Sequence, residues 1–338
     1  MIILAGDIGG TNIRLALVHY TNARPRIITK FLACTRSVPS LEMAIEQFLA
    51  NAQTAVDAAA FGVAAPITEG ILRGPNLPWP IDPRKFADAA RIPFVTLIND
   101  FTALGAGIPH LQPEDFHTLQ PGNPHSTGTI AVIGAGTGLG QCYLTWNGQQ
   151  YIVHPSEGGH SSFAPNDDRE RQLSAYLSTR YGHVSYERIL SGRGLESIYR
   201  YLIDVEQFPE SQDVGVAMQS EDPAAVITKH ATRSKDAACA TTVALFAKVY
   251  GSQAGNFALT VLPTHGVYIA GGIAKHILPQ LGDGSFISAF LAKGRMTSVL
   301  GEIPVHVILS EDVALLGAAA FAASVNPSSE AALPSTYS

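Results

Sequence analysis

Short apolar blocks separated by polar residues run along the chain, and most of them predict β-strands joined by turns or helices. Apolar runs at residues 2–5, 13–18 and 26–33 predict three consecutive strands. Helical spacing of apolar residues at 40–49 predicts an amphipathic helix with Ser40 as its N-cap. This alternation is typical of an α/β protein. The same criteria predict strands at residues 58–65, 93–98, 266–270 and 305–309 and helices at residues 236–262 and 313–323.

The opening pattern occurs a second time from residue 129. A strand at residues 129–133 is followed by a glycine-rich turn, a returning strand at 141–146 and a third strand at 149–153. Because both halves begin with the same succession, we infer an internal duplication and two related α/β domains with a cleft between them. We expect a small domain at residues 1–110 joined by a helix at 313–326, a large domain at residues 111–312 and a tail at residues 327–338.

Three glycine-rich turns follow predicted strands, at residues 6–11, 134–140 and 271–273. Glycines at such places let backbone N–H groups approach a phosphate closely, because no Cβ intervenes. Any one of them is also consistent with a purely structural hairpin. No P-loop lysine follows the turns, and the segment after residue 140 is strand-like, which excludes a dinucleotide fingerprint. Three turns in a duplicated sheet favour a hairpin type of phosphate clamp.

One carboxylate, Asp7, lies within the first of these turns. A carboxylate beside phosphates is suited to Mg²⁺, directly or through a bound water. Asp7 could equally hydrogen-bond its own turn, as aspartates often do. Both interpretations stay open.

Two short polar residues, Asn99 and Asp100, stand between a predicted strand and a predicted helix. Ligands bind at this carboxyl edge of the sheet in α/β proteins, and a carboxylate there could accept a proton from a substrate hydroxyl. The alternative is that Asp100 only caps the helix.

A polar, glycine-containing segment follows the second set of strands at residues 154–165. Glu157 and His160 flank a glycine pair there and could hydrogen-bond vicinal hydroxyls. A metal site that adds His154 is disfavoured, because Pro155 and the glycines break the helix it would need. An ordinary surface loop is the remaining alternative. Glu187 lies in the first turn of a helix predicted to begin near residue 183, where it could simply complement the helix dipole.

Composition narrows the class of protein. The 338 residues are 46% hydrophobic with a formal charge of -6, which suits a globular protein of two domains. No basic patch predicts nucleic-acid binding, and no segment predicts a membrane span or signal peptide. The three cysteines fit neither a disulfide framework nor a zinc site. We therefore expect a cytoplasmic protein.

Taken together, these segments closely resemble the bacterial glucokinase family, within the hexokinase, actin and heat-shock-chaperone ATPase superfamily. The resemblance covers nearly the whole chain up to residue 326. It implies two ribonuclease-H-like (actin-like ATPase) domains and ATP-dependent phosphorylation of glucose at its 6-hydroxyl with Mg²⁺. The superfamily makes a homodimer plausible. The resemblance is carried by residues 4–12, 98–103, 134–140, 157–160, 187–192 and 269–273.

The resemblance also implies roles for individual residues. Asp100 is implied as the catalytic base. Thr137 and its turn are expected to help the first hairpin hold the ATP phosphates, with Asp7 near Mg²⁺. The implied sugar ligands are Asn99, Asp100, Glu157, His160 and Glu187. The implied nucleotide-binding positions are Gly6, Asp7, Ile8, Gly9, Gly10, Thr11, Gly136, Thr137, Gly138, Gly271 and Gly272.

Other functions compete with this one. An actin-like or chaperone ATPase would share the glycine turns but would not need Glu157, His160 and Glu187. A sugar sensor would keep those three residues but lose Asp100 or the phosphate turns. A kinase for another hexose is the nearest alternative, because hydroxyl epimers are distinguished by loop geometry. The residues do not decide between ATP, ADP and polyphosphate as donor.

Overall fold

A computed structural model describes residues 1–21, 24–52, 54–65, 71–73, 77–82, 84–85, 87, 92–233 and 236–325. The predicted tail at residues 327–338 lies outside the described residues. The strands are β1 (Ile2–Ile8), β2 (Asn12–Tyr20), β3 (Pro25–Cys34), β4 (Ala58–Val63), β5 (Val95–Asn99), β6 (Phe116–Gln120), β7 (Ile130–Ala135), β8 (Leu139–Trp146), β9 (Tyr151–Ser156), β10 (Gly266–Ala270) and β11 (Val305–Ile308). The α-helices are α1 (Leu41–Ala52), α2 (Asp100–Gly107), α3 (Asp168–Tyr181), α4 (Gly192–Asp204), α5 (Gln212–Ala217), α6 (Pro223–Thr232), α7 (Ala237–Val261), α8 (Gly272–His276), α9 (Leu278–Leu281), α10 (Ser285–Leu291), α11 (Thr297–Gly301) and α12 (Val313–Val325).

The chain forms two units, one of residues 1–113, 149–154 and 310–338 and the other of residues 114–148 and 155–309. In the first unit the sheet order is β3-β2-β1-β4-β5. β1, β2 and β3 are antiparallel, whereas β4 and β5 run parallel to β1. Helix α1 packs on one face of this sheet and α12 on the other, so β1 and β4 are buried on both faces.

The second sheet has the order β6-β11-β10-β7-β8-β9. β8 is antiparallel to β7, and β10 and β11 run parallel to β7 and to each other. This reproduces the strand order of the first sheet, with β6 added antiparallel to β11. The predicted duplication is therefore confirmed in the strand topology. Helix α7 supplies much of the core of this unit through side chains such as Phe246 and Tyr250, which pack with Phe286 of α10.

Helix α2, which begins at Asp100, is fixed by close contact with α12. A Cβ added to Gly317 would lie 1.8 Å from the carbonyl oxygen of Ala103. A Cβ added to Gly107 would lie 2.0 Å from the carbonyl oxygen of Val313. Both glycines let the helix backbones touch, so the position of α2 is set by packing rather than by a flexible loop.

Two predicted boundaries are wrong. Gly6 and Asp7 are strand residues rather than turn residues, because β1 stays in register with β2 up to the pair Ile8 and Ile13. The first glycine turn is therefore residues 9–11, and its counterpart, the second glycine turn, is residues 136–138. Residues 183–188 do not begin an α-helix: they contain a 3₁₀ turn, Tyr186–Arg188, and α4 begins only after Ser191.

None of the helices in the described part of the chain is both long enough and apolar enough to cross a membrane.

Candidate active site

The first glycine turn is held by Thr35, a fully buried residue just beyond β3. Its Oγ1 donates to the carbonyl oxygen of Gly9 at 2.7 Å. Its backbone N–H donates to the carbonyl oxygen of Thr11 at 2.9 Å, and the Gly9 N–H donates across the turn to Asn12 at 3.0 Å. Both sides of the turn are thus fixed by one residue, which is the kind of rigidity a phosphate clamp needs.

Asp7 lies on β1 directly opposite Arg14 on β2. The Arg14 Nη1 atom is 3.6 Å from Asp7 Oδ2. Burial raises the pKa of the Asp7 carboxyl, and the nearby Arg14 charge lowers it by less. The carboxylate therefore belongs to a cross-strand ion pair and not to the turn that follows, which argues against the self-capping interpretation.

Gly6 has a structural reason to be glycine. A Cβ at this position would lie 2.2 Å from Cδ1 of Phe61, its partner on β4. The ring of Phe61 is fully buried and fills the space above Gly6. Packing inside the sheet thus accounts for this glycine without a phosphate.

Asn99 and Asp100 lie where β5 meets α2. The Oδ1 atom of Asn99 accepts the backbone N–H groups of Phe101 at 2.9 Å and Thr102 at 3.3 Å, so Asn99 is the N-cap. Asp100 is the first residue of the helix, and its Oδ1 accepts the Phe101 N–H at 2.9 Å. The interpretation of Asp100 as the cap is therefore wrong. A helix N-terminus stabilises a negative charge, which favours an ionised Asp100.

The second glycine turn follows β7, whose end is held by Tyr250 of α7. The fully buried Tyr250 hydroxyl accepts the Ala135 N–H at 3.1 Å and donates to the Ile133 carbonyl oxygen at 3.1 Å. Burial raises the pKa of Tyr250, so this hydroxyl keeps its proton. The turn itself is closed by the Gly136 N–H, which donates to the carbonyl oxygen of Gly138 at 2.8 Å.

The third glycine site follows β10. Gly271 has a φ of +89°, and a Cβ there would lie 2.1 Å from the carbonyl oxygen of Ala135. Only glycine fits both conditions. Gly271 therefore lies directly against the end of β7, beside the second glycine turn, whereas Gly272 begins α8 with open space around it.

Glu157, His160 and Glu187 lie together in the second unit, and we call them the acid–histidine cluster. His160 Nε2 is 3.8 Å from Glu157 Oε2, and His160 Nδ1 is 4.0 Å from Glu187 Oε1. The side chains of Glu157 and His160 are 88% and 61% exposed, whereas that of Glu187 is only 31% exposed. Two carboxylates thus flank one imidazole on an accessible surface.

Backbone contacts hold the two segments of the cluster together. The Tyr186 N–H donates to the Ser161 carbonyl oxygen at 3.1 Å, and the Phe163 N–H donates to Val184 at 2.9 Å. Ser191, the N-cap of α4, donates its hydroxyl to the Glu187 carbonyl oxygen at 2.7 Å. Glu187 thus lies in the 3₁₀ turn Tyr186–Arg188 and not in the first turn of an α-helix.

A magnesium site needs oxygen ligands, and Mg²⁺ is usually held by one or two carboxylates together with substrate phosphates and waters. Among the described residues, no group of three or more His, Cys, Asp or Glu side chains could hold a metal ion alone. Asp7, a single partly accessible carboxylate, fits a metal that arrives bound to a nucleotide.

The sequence analysis missed two residues that hold the glycine turns, Thr35 and Tyr250. Thr35 lies 26 positions from Gly9, and Tyr250 lies 115 positions from Ala135 in the middle of a long helix. Neither belongs to a motif. A threonine between a strand and a helix and a tyrosine among helical apolar residues are too common to carry a signal.

Two α/β units of the same strand order, each with a glycine turn after its first strand, define the actin-like ATPase fold of sugar kinases. The crystal structure of glucokinase from an Antarctic psychrotroph superposes with a TM-score of 0.83 at 30% identity, covering 95% of this chain and 98% of that one. A ROK family glucokinase from Streptomyces griseus, solved in complex with glucose and AMPPNP, has the same fold, with a TM-score of 0.65 at 20% identity over 95% of this chain and 99% of that one.

Sequence comparison narrows the class further. The family model described as Glucokinase matches residues 4–325. The glucokinase of Nostoc sp. is 42% identical over an alignment of 338 positions that covers 95% of this chain and 99% of the relative. The chain belongs to the glucokinase family. The predicted family and fold class are therefore confirmed.

Proposed function

We propose that this protein transfers the γ-phosphoryl group of ATP to the 6-hydroxyl of glucose, giving glucose 6-phosphate and ADP, the first step of glucose use in glycolysis. Similarity to glucokinases along nearly the full chain supports the activity. The observation that carries the sugar part of the proposal is the acid–histidine cluster, in which His160 lies within 4.0 Å of two carboxylates. An ATPase without a sugar substrate has no use for such a cluster.

The acid–histidine cluster binds the sugar hydroxyls, together with the Asn99 side chain. Each carboxylate accepts hydrogen bonds from the sugar hydroxyls, and a hydrogen bond to a charged group contributes roughly 1.5 to 3 kcal/mol. An analogue without the hydroxyl that Glu187 contacts leaves this carboxylate, which is only 31% exposed, without its partner and is bound more weakly. In Asn99 the cap uses only Oδ1, so the amide Nδ2 serves as the donor to the sugar.

Asp100 is the catalytic base in this proposal. Its carboxylate accepts the proton of the 6-hydroxyl as that oxygen attacks the γ-phosphorus, and the bond from phosphorus to the bridging oxygen of ADP breaks. Two features support the assignment: the helix N-terminus that favours the ionised form, and the tight packing of α2 on α12 that fixes its position.

The glycine turns bind the phosphates. In the first unit we assign the phosphate contacts to residues 8–11, and in the second to residues 136–138, with Gly271 and Gly272 beside the nucleotide. Magnesium bound with the nucleotide would neutralise charge that builds up on the phosphates during transfer. Asp7 would hold that ion, directly or through a water. Gly6 is glycine because of Phe61, so its contribution to nucleotide binding is indirect.

A homodimer, a cytoplasmic location and the absence of nucleic-acid or membrane partners stay predictions from the sequence and its resemblance. Cys34, Cys142 and Cys239 form no disulfide in the structure, which is compatible with a reducing compartment.

The proposal is tested by a coupled assay of ADP release with MgATP and glucose, fructose, mannose, N-acetylglucosamine or no sugar. We expect release that depends on glucose. ADP release that is equally fast without sugar would contradict the proposal in favour of an ATPase, and turnover of another hexose alone would overturn the substrate.

Asp100→Ala tests the base in the same assay. Loss of a general base lowers turnover by about 100-fold or more, while calorimetry should still detect glucose binding. Asp168→Ala is the matched control, because Asp168 is also the first residue of a helix and its side chain is 88% exposed. Normal turnover by a folded Asp100→Ala variant would refute the role.

A further inference from the structure

Glu187 holds the start of β8 immediately behind the second glycine turn. Its Oε2 atom accepts the backbone N–H of Leu139 at 3.0 Å, while Oε1 is the atom that faces His160 at 4.0 Å. The Glu187 carboxylate therefore hydrogen-bonds Leu139 with one oxygen and faces His160 with the other. A side chain of the acid–histidine cluster also determines where the strand that leaves the turn begins.

Gly138 leaves room for this carboxylate. A Cβ added to Gly138 would lie 2.5 Å from Glu187 Oε2 and 3.3 Å from its Cδ. The nearest atom, Glu187 Oε2, is at the far end of a flexible side chain, so an alanine there would displace the carboxylate rather than the backbone. The backbone of Gly138 has no positive φ that would itself demand glycine. Among the described residues, the first atom that a side chain at this position would meet is therefore Glu187 Oε2.

The other segment of the cluster rests on the same strand. A Cβ at Gly159 would lie 2.0 Å from the Leu139 carbonyl oxygen, and a Cβ at Gly158 would lie 2.2 Å from Gln141 Oε1. The glycine pair between Glu157 and His160 therefore lies directly on the first residues of β8. Both segments of the acid–histidine cluster are built on the strand that leaves the second glycine turn.

We propose that Gly138 is a positioning residue for the sugar, acting through Glu187, and that Glu187 braces the second glycine turn in addition to binding glucose. This inference rests on the proposed function, because it takes glucose as the ligand of the cluster. The inference distinguishes two reasons why position 138 is occupied by glycine. If the glycine only admits a phosphate, its substitution affects nucleotide binding alone; if it admits the Glu187 carboxylate, its substitution weakens glucose binding even without nucleotide.

The test is the dissociation constant of glucose, measured by calorimetry on nucleotide-free wild type, Gly138→Ala and Gly136→Ala. Gly136 is the matched control, since it lies in the same turn, has no positive φ and has no atom within 4 Å of an added Cβ. We expect Gly138→Ala to weaken glucose binding by about tenfold, as for a displaced charged hydrogen-bond partner, and Gly136→Ala to leave it unchanged. Circular dichroism and thermal unfolding check that both variants are folded.

Unchanged glucose binding in Gly138→Ala, or equal weakening in both variants, would overturn the inference. Failure of the wild type to bind glucose at all would instead contradict the proposed function, so the two failures are distinguishable. A double-mutant cycle adds a second readout, the KM for glucose at saturating MgATP. Gly138→Ala should have about tenfold effect in the wild type and almost none in Glu187→Ala, whereas equal effects in both backgrounds would contradict an action through Glu187.

Discussion

The two glycine turns differ in what holds them. The first is fixed by Thr35, a buried neutral side chain that donates to the Gly9 carbonyl oxygen. The second is held at the end of β7 by the buried Tyr250 hydroxyl and, in addition, at the start of β8 by Glu187, a carboxylate of the acid–histidine cluster, through the Leu139 N–H. Equivalent places in a duplicated fold are thus stabilised by chemically different means.

The two turns therefore differ in whether their shape is expected to depend on bound sugar. Thr35 is not among the proposed sugar ligands, so we expect the first turn to keep its shape when glucose binds. In the proposal Glu187 is also a sugar ligand, so we expect the second turn to respond to glucose, because any movement of the Glu187 carboxylate alters its hydrogen bond to the Leu139 N–H. Among the contacts of the described residues, it is the second turn that shares a residue with the proposed sugar ligands.

The largest effect is expected from Glu187→Ala, which removes the sugar ligand and the brace at once. We expect kcat/KM for glucose to fall by about 100-fold, from the loss of a charged hydrogen bond, and the KM for MgATP to rise several-fold. Steady-state kinetics with each substrate varied in turn would measure both. Glu157→Ala is the control: the Glu157 side chain lies in the cluster, is 88% exposed and makes no hydrogen bond with the turn among the described residues, so its KM for MgATP should stay normal. An identical pattern for both variants would remove the distinction between them.

A second expected effect concerns stability in the first unit. Gly6→Ala forces a Cβ against the buried ring of Phe61, and overpacking of this kind costs about 1 to 3 kcal/mol of folding free energy. The midpoint of thermal unfolding should therefore fall. Gly136→Ala, with open space around its Cβ, should leave the midpoint unchanged. A Gly6→Ala variant as stable as the wild type would show that Phe61 does not require the glycine.

The smallest effect is expected from Thr35→Val, which keeps the shape of the side chain but removes the hydroxyl that donates to Gly9. The loss of one neutral hydrogen bond, about 1 kcal/mol, should raise the KM for MgATP about fivefold. Glucose binding without nucleotide should not change. Thr35→Ser keeps the hydroxyl and serves as the control. Weaker glucose binding in Thr35→Val would mean that the first turn is also coupled to the sugar.

The fold could be predicted because its signals are local and occur twice. The succession of strand, glycine turn and strand at residues 2–18 recurs from residue 129, and its topology follows from the repetition. The lengths of the strands could not be predicted. Periodicity does not show where β1 ends, since Gly6 and Asp7 look like turn residues until Phe61 and Arg14 are placed opposite them.

The residues of the candidate site could likewise be predicted only in part from the sequence. Asn99, Asp100, Glu157 and His160 stand out because polar residues and glycines interrupt apolar patterns. Glu187 was found by resemblance, but its helix was misplaced, because serine and acidic residues at 185–187 resemble a helix start whereas Ser191 is the actual cap. Thr35 and Tyr250 act through contacts between distant positions, which one sequence does not reveal.

The central claim, that the second glycine turn and the sugar ligands share Glu187, is tested most directly by the coupling between the two substrates. The dissociation constant of glucose would be measured with and without a saturating, non-hydrolysable ATP analogue and Mg²⁺, in wild type and Gly138→Ala. The account predicts a change of about fivefold or more in the wild type that becomes clearly smaller in Gly138→Ala. The same coupling in both proteins, or none in the wild type, would contradict it.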